Sequence, residues 1–168
     1  MQRRTLLKLG LGATVLVVLA GGGAALVRPG VVGGRLTEPA RGVMQAVARA
    51  VLDGVLPSDA PAQQRALLAH LGRLDSAIAA FPLPTQAELS QLLALLAVPP
   101  GRLALAGLSS AWPDANVADL QAALQGMRTA SLALKQLAYH ALRDLTNAAY
   151  FSDASAWPSL GYPGPAEI

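Results

Sequence analysis

The stretch ASLALKQLAYHALRDLTNAAYF, Ala130 to Phe151, decides the fold. Leu134, Leu137, Ala138, Ala141, Leu142, Leu145 and Ala149 recur at three- and four-residue intervals, which places them on one side of a long helix. A stripe of that width is stable only when other elements cover it, and everything upstream is suited to do so. Asn116 with Asp119 reads as a cap, opening a helix through Leu120, Leu124 and Met127 that runs almost continuously into the long one. Thr85 with Glu88 reads as a capping box before Leu89, Leu92, Leu93 and Leu96, and that helix stops at Pro99, Pro100 and Gly101.

Further toward the amino terminus, a helix from about Ala62 to Ala80 carries Leu67, Leu71, Leu74, Ile78 and Phe81 inward and ends before Pro82 and Pro84. The first helix of the body opens at Thr37, Glu38 and Pro39, presents Val43, Val47, Ala50, Val51 and Val55, and ends at Pro57. A short turn or helix is expected from Arg102 to Leu108. No β-branched alternation of strand type occurs after the leader. The expected fold is therefore all-α: a small bundle of four to five helices, preceded by an amino-terminal signal or anchor helix and followed by an extended Pro/Gly/aromatic tail. The corresponding division is residues 1–29 as signal or anchor, 30–36 as a glycine-rich linker, 37–152 as the helical domain and 153–168 as the tail.

Composition limits the function classes. The 168 residues are 53% hydrophobic, which excludes wholesale disorder and allows one modest core. The net charge of +3 arises in the leader, where Arg3, Arg4, Lys8, Arg28 and Arg35 precede the first acidic residue, Glu38. From Leu36 onward eight basic residues face ten acidic ones, so nucleic acid is not an expected partner. The absence of cysteine removes disulfides, thiolate catalysis and sulfur ligation of clusters.

The leader itself, MQRRTLLKLG, sets paired arginines before an uncharged apolar run from Leu9 to Val27. RRTLLK resembles the twin-arginine export signal, with Arg3, Arg4, Leu6, Leu7 and Lys8 as its recognition residues, although Leu6 stands where that pattern usually has phenylalanine. The run approaches the roughly 20 residues that cross a bilayer, so a permanent anchor is the competing reading. Gly10, Gly12 and Gly21 to Gly23 lower its hydrophobicity and favour a signal. Gly22 and Ala24 offer small residues for a peptidase without a clean A-x-A site, which leaves cleavage open. Both readings start the chain in the cytoplasm.

Catalytic constellations are sparse. His140 and Asp144, four residues apart on the long helix, have the spacing of a base and its orienter, but an exposed helical pair beside Arg143 explains them better. His70, near Arg73, reads as a solvated histidine on the outer half of its helix. No GxGxxG, P-loop, HExxH or GxSxG occurs outside the leader. Trp112-Pro113 in a loop reads as a plug for the bundle end. A second pair, Trp157-Pro158, makes an interface plausible, because tryptophan and tyrosine dominate contact hot spots and proline lowers the entropy lost on docking.

Taken with RRTLLK, the segments VLDGVLP (Val51 to Pro57), LAGLSSAW (Leu105 to Trp112), AYHALRDL (Ala138 to Leu145) and above all AAYFSDASAWPSLGYPGP (Ala148 to Pro165) resemble the gluconate 2-dehydrogenase subunit 3 family. Its members are the small subunits of membrane-associated, flavin-dependent sugar and alcohol dehydrogenases. The resemblance implies a chain that is not itself an enzyme and holds no cofactor. FAD would reside in a large partner of the glucose-methanol-choline type, and haem c in a cytochrome subunit that takes the electrons onward in many such complexes. It also implies that the small subunit helps the large one fold and escorts it to the periplasm through the twin-arginine translocase, with membrane association through the amino-terminal segment. Partner contact is then expected at Trp112, Tyr150, Trp157, Gly161, Tyr162, Pro163, Gly164 and Pro165. The rival reading is a membrane-tethered periplasmic helical adaptor with no link to oxidoreductases.

Overall fold

A computed structural model describes residues 28–164, so Arg3, Arg4, Leu6, Leu7, Lys8 and Pro165 lie outside the described residues. Within them the chain forms a two-stranded hairpin, β1 (Val31–Val32) and β2 (Arg35–Leu36), and six α-helices. These are α1 (Glu38–Val51), α2 (Ala60–Ala79), α3 (Leu83–Ala97), α4 (Pro99–Ala106), α5 (Val117–Arg128) and α6 (Ala133–Phe151). Two 3-10 segments, Trp112–Asp114 and Ala154–Leu160, complete the described chain.

The bundle is organised around α1, which packs against α2, α3, α5 and α6. Its small residues make this possible: Ala40, Val43, Met44, Ala46, Val47 and Ala48 are all buried, so α1 is covered on more than one face. Pro39 occupies the first turn, where a missing N–H costs nothing, and Glu38 and Arg49 lie at the dipole ends that suit their charges. Two side chains tie its carboxy-terminal half to the neighbouring loop and helix. Arg49 donates to the carbonyls of Pro113 and Ala115, at 3.3 and 3.1 Å, and Gln121 of α5 donates to the Ala50 carbonyl at 3.3 Å.

Residues 30–36 are not the linker that their glycines suggest. Val31 pairs with Leu36 and Val32 with Arg35 across a Gly33-Gly34 turn, both glycines having positive φ. Gly34 is required twice over, by its φ of 74° and because a Cβ there would lie 3.0 Å from Ala79. The hairpin is anchored rather than free. Ser90 of α3 accepts from the Gly30 N–H through its carbonyl, at 3.2 Å, and from the Val31 N–H through its hydroxyl, at 3.0 Å. Asp75 of α2 accepts the Leu36 N–H at 2.9 Å while its other oxygen pairs with Arg41.

Helix starts follow local chemistry, with one shift. Asn116 caps α5 as expected, its Oδ1 accepting from the Asp119 N–H at 2.8 Å. Thr37 holds the cap position of α1, yet its hydroxyl donates to the Pro29 carbonyl at 2.9 Å and so fastens the incoming chain instead of the helix end. The Thr85–Glu88 capping box does not form. Helix α3 begins earlier, at Leu83, because Pro82 and Pro84 both fit the cap and first turn, and this places Thr85 inside the helix. In the same way Pro99 and Pro100 both end α3 and begin α4, which leaves at 99° to it and stops at Gly107 with φ 68°.

Counting α4 as a full helix raises the number from the expected four or five to six. Helices α5 and α6 are likewise separate elements, broken at residues 129–132 and packed against each other. Side chains stabilise the break: the Thr129 hydroxyl donates to the Gln125 carbonyl at 3.0 Å, and the Gln136 amide to the Ala130 carbonyl at 2.7 Å. Of the tail, Ala154–Leu160 is coiled into a 3-10 segment capped by Asp153. Hydrogen bonds from Ser155 hold the Asp153 carboxyl below the usual carboxylate range; desolvation opposes them and Arg73 adds to them.

Candidate functional site

The stripes read from the sequence point inward, but one pair of them is not fully covered. Between α3 and α6 lies an open groove of about 540 Å³. Its floor is built from Leu89 and Leu92 of α3 and from Leu134, Ala138, Ala141 and Leu145 of α6. Leu137, in the same groove, is 44% exposed, although its spacing assigns it to the inner stripe. Thr85, Glu88, His140 and Asp144 supply its polar groups.

The chemistry of that rim is limited. Asp144 pairs with its neighbour Arg143 at 3.1 Å, with both side chains about half exposed or more, and His140 lies edge-on to Tyr139 at 5.2 Å between ring centroids. No hydrogen bond joins His140 to Asp144, so the spacing of base and orienter is not used as such in this structure. Glu88 is half-buried and makes no hydrogen bond or ion pair among the described residues. An apolar floor with a carboxylate at its edge offers few groups that could fix a small polar substrate.

The residues expected at a partner interface separate into two groups. Trp112 and Tyr150 belong to the interior. Trp112 is 2% exposed, and its indole N–H donates to the Leu96 carbonyl at 2.8 Å, closing the carboxy-terminal end of α3. Arg102, itself buried, holds the intervening loop by donating to the carbonyls of Leu108 and Ser109. Trp112, named among the expected partner contacts, is thus covered by its own chain and plugs the bundle end. Tyr150 is buried with Ala48, Leu52 and Leu67 in a second small core, with Phe151 edge-on at 5.2 Å.

Trp157, Gly161, Tyr162, Pro163 and Gly164 are brought together in a shallow cleft beyond α6. The Trp157 indole N–H donates to the Phe151 carbonyl at 2.8 Å, so this side chain faces its own bundle. Tyr162 meets it edge-on at 5.4 Å and is 47% exposed. Gly161, with φ 70°, ends the 3-10 segment and turns the chain back so that the Tyr162 N–H reaches the Trp157 carbonyl at 3.2 Å.

His70 is the clearest departure from expectation. It is fully buried, and neither ring nitrogen has a hydrogen-bond partner; the buried hydroxyl of Thr146 has none either. Three residues after Leu67 and four before Leu74, His70 lies beside the inner stripe of α2, and α6 covers that flank as well. The spacing was the available signal. Burial first, and the Arg73 charge second, lower its pKa from 6.5 to about 4, so it is neutral near pH 7. Its ring lies 6.2 Å from that of Tyr150, and the Arg73 guanidinium stands 6.0 Å from the Tyr150 centroid. No cluster of three or more His, Asp or Glu with metal-binding geometry occurs among the described residues.

Comparison with family models, with curated proteins and with solved structures finds no match to this chain.

Proposed function

We propose that this chain is a non-catalytic small subunit that assists the folding of a large FAD-dependent dehydrogenase of the glucose-methanol-choline type and escorts it to the periplasm by the twin-arginine route. The observation that carries the reading is the open α3–α6 groove: Leu89, Leu92 and Ala138 at its base are buried, while Leu134, Ala141 and Leu145 are only partly covered and Leu137 is exposed. A partner-covered face is what an obligate subunit presents in isolation. The exposed Tyr162, set on Trp157 at the end of a glycine- and proline-rich segment, is a second contact point on the same view. RRTLLK supplies the export address, and a folded, flavin-loaded partner is the cargo that such a route serves.

The test is co-production with a flavoprotein of that type from the same organism. The large subunit should be soluble, flavin-loaded and recovered in the periplasm only when this chain is present, and the two should co-purify. A flavoprotein that folds, loads and exports equally well without this chain overturns the subunit reading and leaves the helical adaptor.

A further inference from the structure

The subunit reading leaves open what enters the groove, and the side chains there narrow the answer. Its lining extends from Leu134 to Ala148 on α6, about 21 Å at 1.5 Å per residue, and from Thr85 to Leu92 on α3, about 10 Å. A sugar or nucleotide needs converging donors and acceptors, and apart from Thr85, Glu88, His140 and Asp144 the lining is hydrocarbon, aliphatic side chains together with Phe81. A slot of this length between two helices fits a third helix, whose side chains at i, i+3, i+4 and i+7 enter the spaces between Leu89, Leu92, Leu137 and Leu145.

Charge decides among apolar occupants. Glu88 is a half-buried carboxylate with no cation beside it, and Asp144 has only the exposed Arg143. Covering Glu88 with a purely apolar surface would strip water from its charge without compensation, and an anionic membrane would add repulsion. A lysine or arginine on the occupant removes that cost. Resting on the subunit reading above, we infer that the groove receives one amphipathic helical segment of the large subunit, apolar toward α3 and α6 and carrying a lysine or arginine that reaches Glu88.

The experiment uses the full chain in cells of its own host, with a photoreactive benzophenone side chain in place of Leu137, or of the exposed Leu68 as a control on α2. The expected adduct at 137 is a single flavoprotein segment with that apolar spacing and a basic residue, with no such adduct at 68. Glu88→Lys should lower its yield at least tenfold, and the milder Glu88→Gln at least threefold, with unchanged circular dichroism. Reversing the partner's basic residue to glutamate should restore the yield in the Glu88→Lys background.

Adducts on residues 1–27 of this chain, on a second copy or on lipid overturn the inference, as does a yield indifferent to Glu88 or a failed reversal. A flavoprotein that co-purifies but crosslinks elsewhere overturns the groove assignment alone. A charge-reversible groove adduct on a protein without flavin overturns the assignment of the occupant to the large subunit and, with it, the subunit reading, while the groove remains a helix-docking site.

Discussion

Arg73 Nη1 lies 2.9 Å from Asp153 Oδ2, and this contact joins α2 to the second residue beyond the end of α6. The same guanidinium donates through Nε to the Ala149 carbonyl at 2.8 Å, satisfying one of the acceptors that a helix leaves open in its last turn. The two bonds differ in worth because the ion pair is partly exposed. Asp153→Asn should therefore cost little, whereas Arg73→Met, which also leaves the Ala149 carbonyl to the Ser152 hydroxyl alone, should cost more, about 1–2 kcal/mol. Urea denaturation of the two variants checks the order, and an Asp153→Asn loss equal to that of Arg73→Met contradicts it.

His70 makes stability depend on pH. Its folded-state pKa of about 4 is below the unfolded value of 6.5, so the unfolded chain binds the extra proton first. Stability should be constant above about pH 6.5, fall as pH drops through the window between the two values, and level off below about 4. The total loss is on the order of 3 kcal/mol from this group. His70→Leu should flatten that window and leave stability at pH 7 equal or higher, since it also removes two unpartnered buried nitrogens. Thermal melts at half-unit pH steps between 4 and 7 give the comparison.

Trp112 separates shape from hydrogen bonding. Trp112→Phe keeps most of the buried ring but leaves the Leu96 carbonyl without its indole donor, and should cost about 1–3 kcal/mol. Trp112→Ala adds the cavity and should reach about 3–5 kcal/mol. Neither change should weaken partner binding when measured on the folded fraction, because this residue has almost no surface to offer.

The two aromatics of the carboxy-terminal cleft should behave in opposite ways. Trp157→Ala breaks the bond to the Phe151 carbonyl and should lower the melting temperature of the chain. Tyr162→Ala, at an exposed position, should leave the melt within about 0.5 kcal/mol and weaken partner binding by up to about 2 kcal/mol. Calorimetry of each variant and titration against the large subunit separate the two effects.

Replacing Arg3 and Arg4 together with lysine keeps the charge and loses the planar guanidinium pair. Export of the chain and its flavoprotein, followed by fractionation, should fall to background. Full export of the double-lysine protein would instead assign the leader to a general signal or an anchor.

Where apolar spacing was sustained over three or more turns, the helices were legible, as in α2 and α6, and so was the Asn116 cap. The hairpin was not, because two-residue strands are too short to show alternation; Gly33-Gly34 was its only local mark. Prolines misled in both directions, since the same residue that stops one helix suits the first turn of the next, and this moved the start of α3 and lengthened α4. The burial of His70 and Trp112 depends on elements that are distant in sequence, Tyr150 for one and the Leu96 carbonyl for the other. The groove escaped for a related reason. Leu134, Ala141 and Leu145 do pack against the core and Leu137 does not, because periodicity says which way a side chain points and not whether anything lies over it.

The clamp on Gly30 also fixes how the body bears mechanical load. Tension applied through Arg28 and Pro29 does not reach the first turn of α1 directly. It meets first the Thr37 hydroxyl bond to Pro29 and then the bonds from Gly30 and Val31 to Ser90, at three successive residues. Gly30 is seated so closely that an added Cβ would lie 2.6 Å from Leu93 Cβ, so the strap cannot slide along α3 without lifting away. A pull on the residues before Arg28 is thus borne by bonds to α3 and to the cap of α1 before it reaches the helical turns.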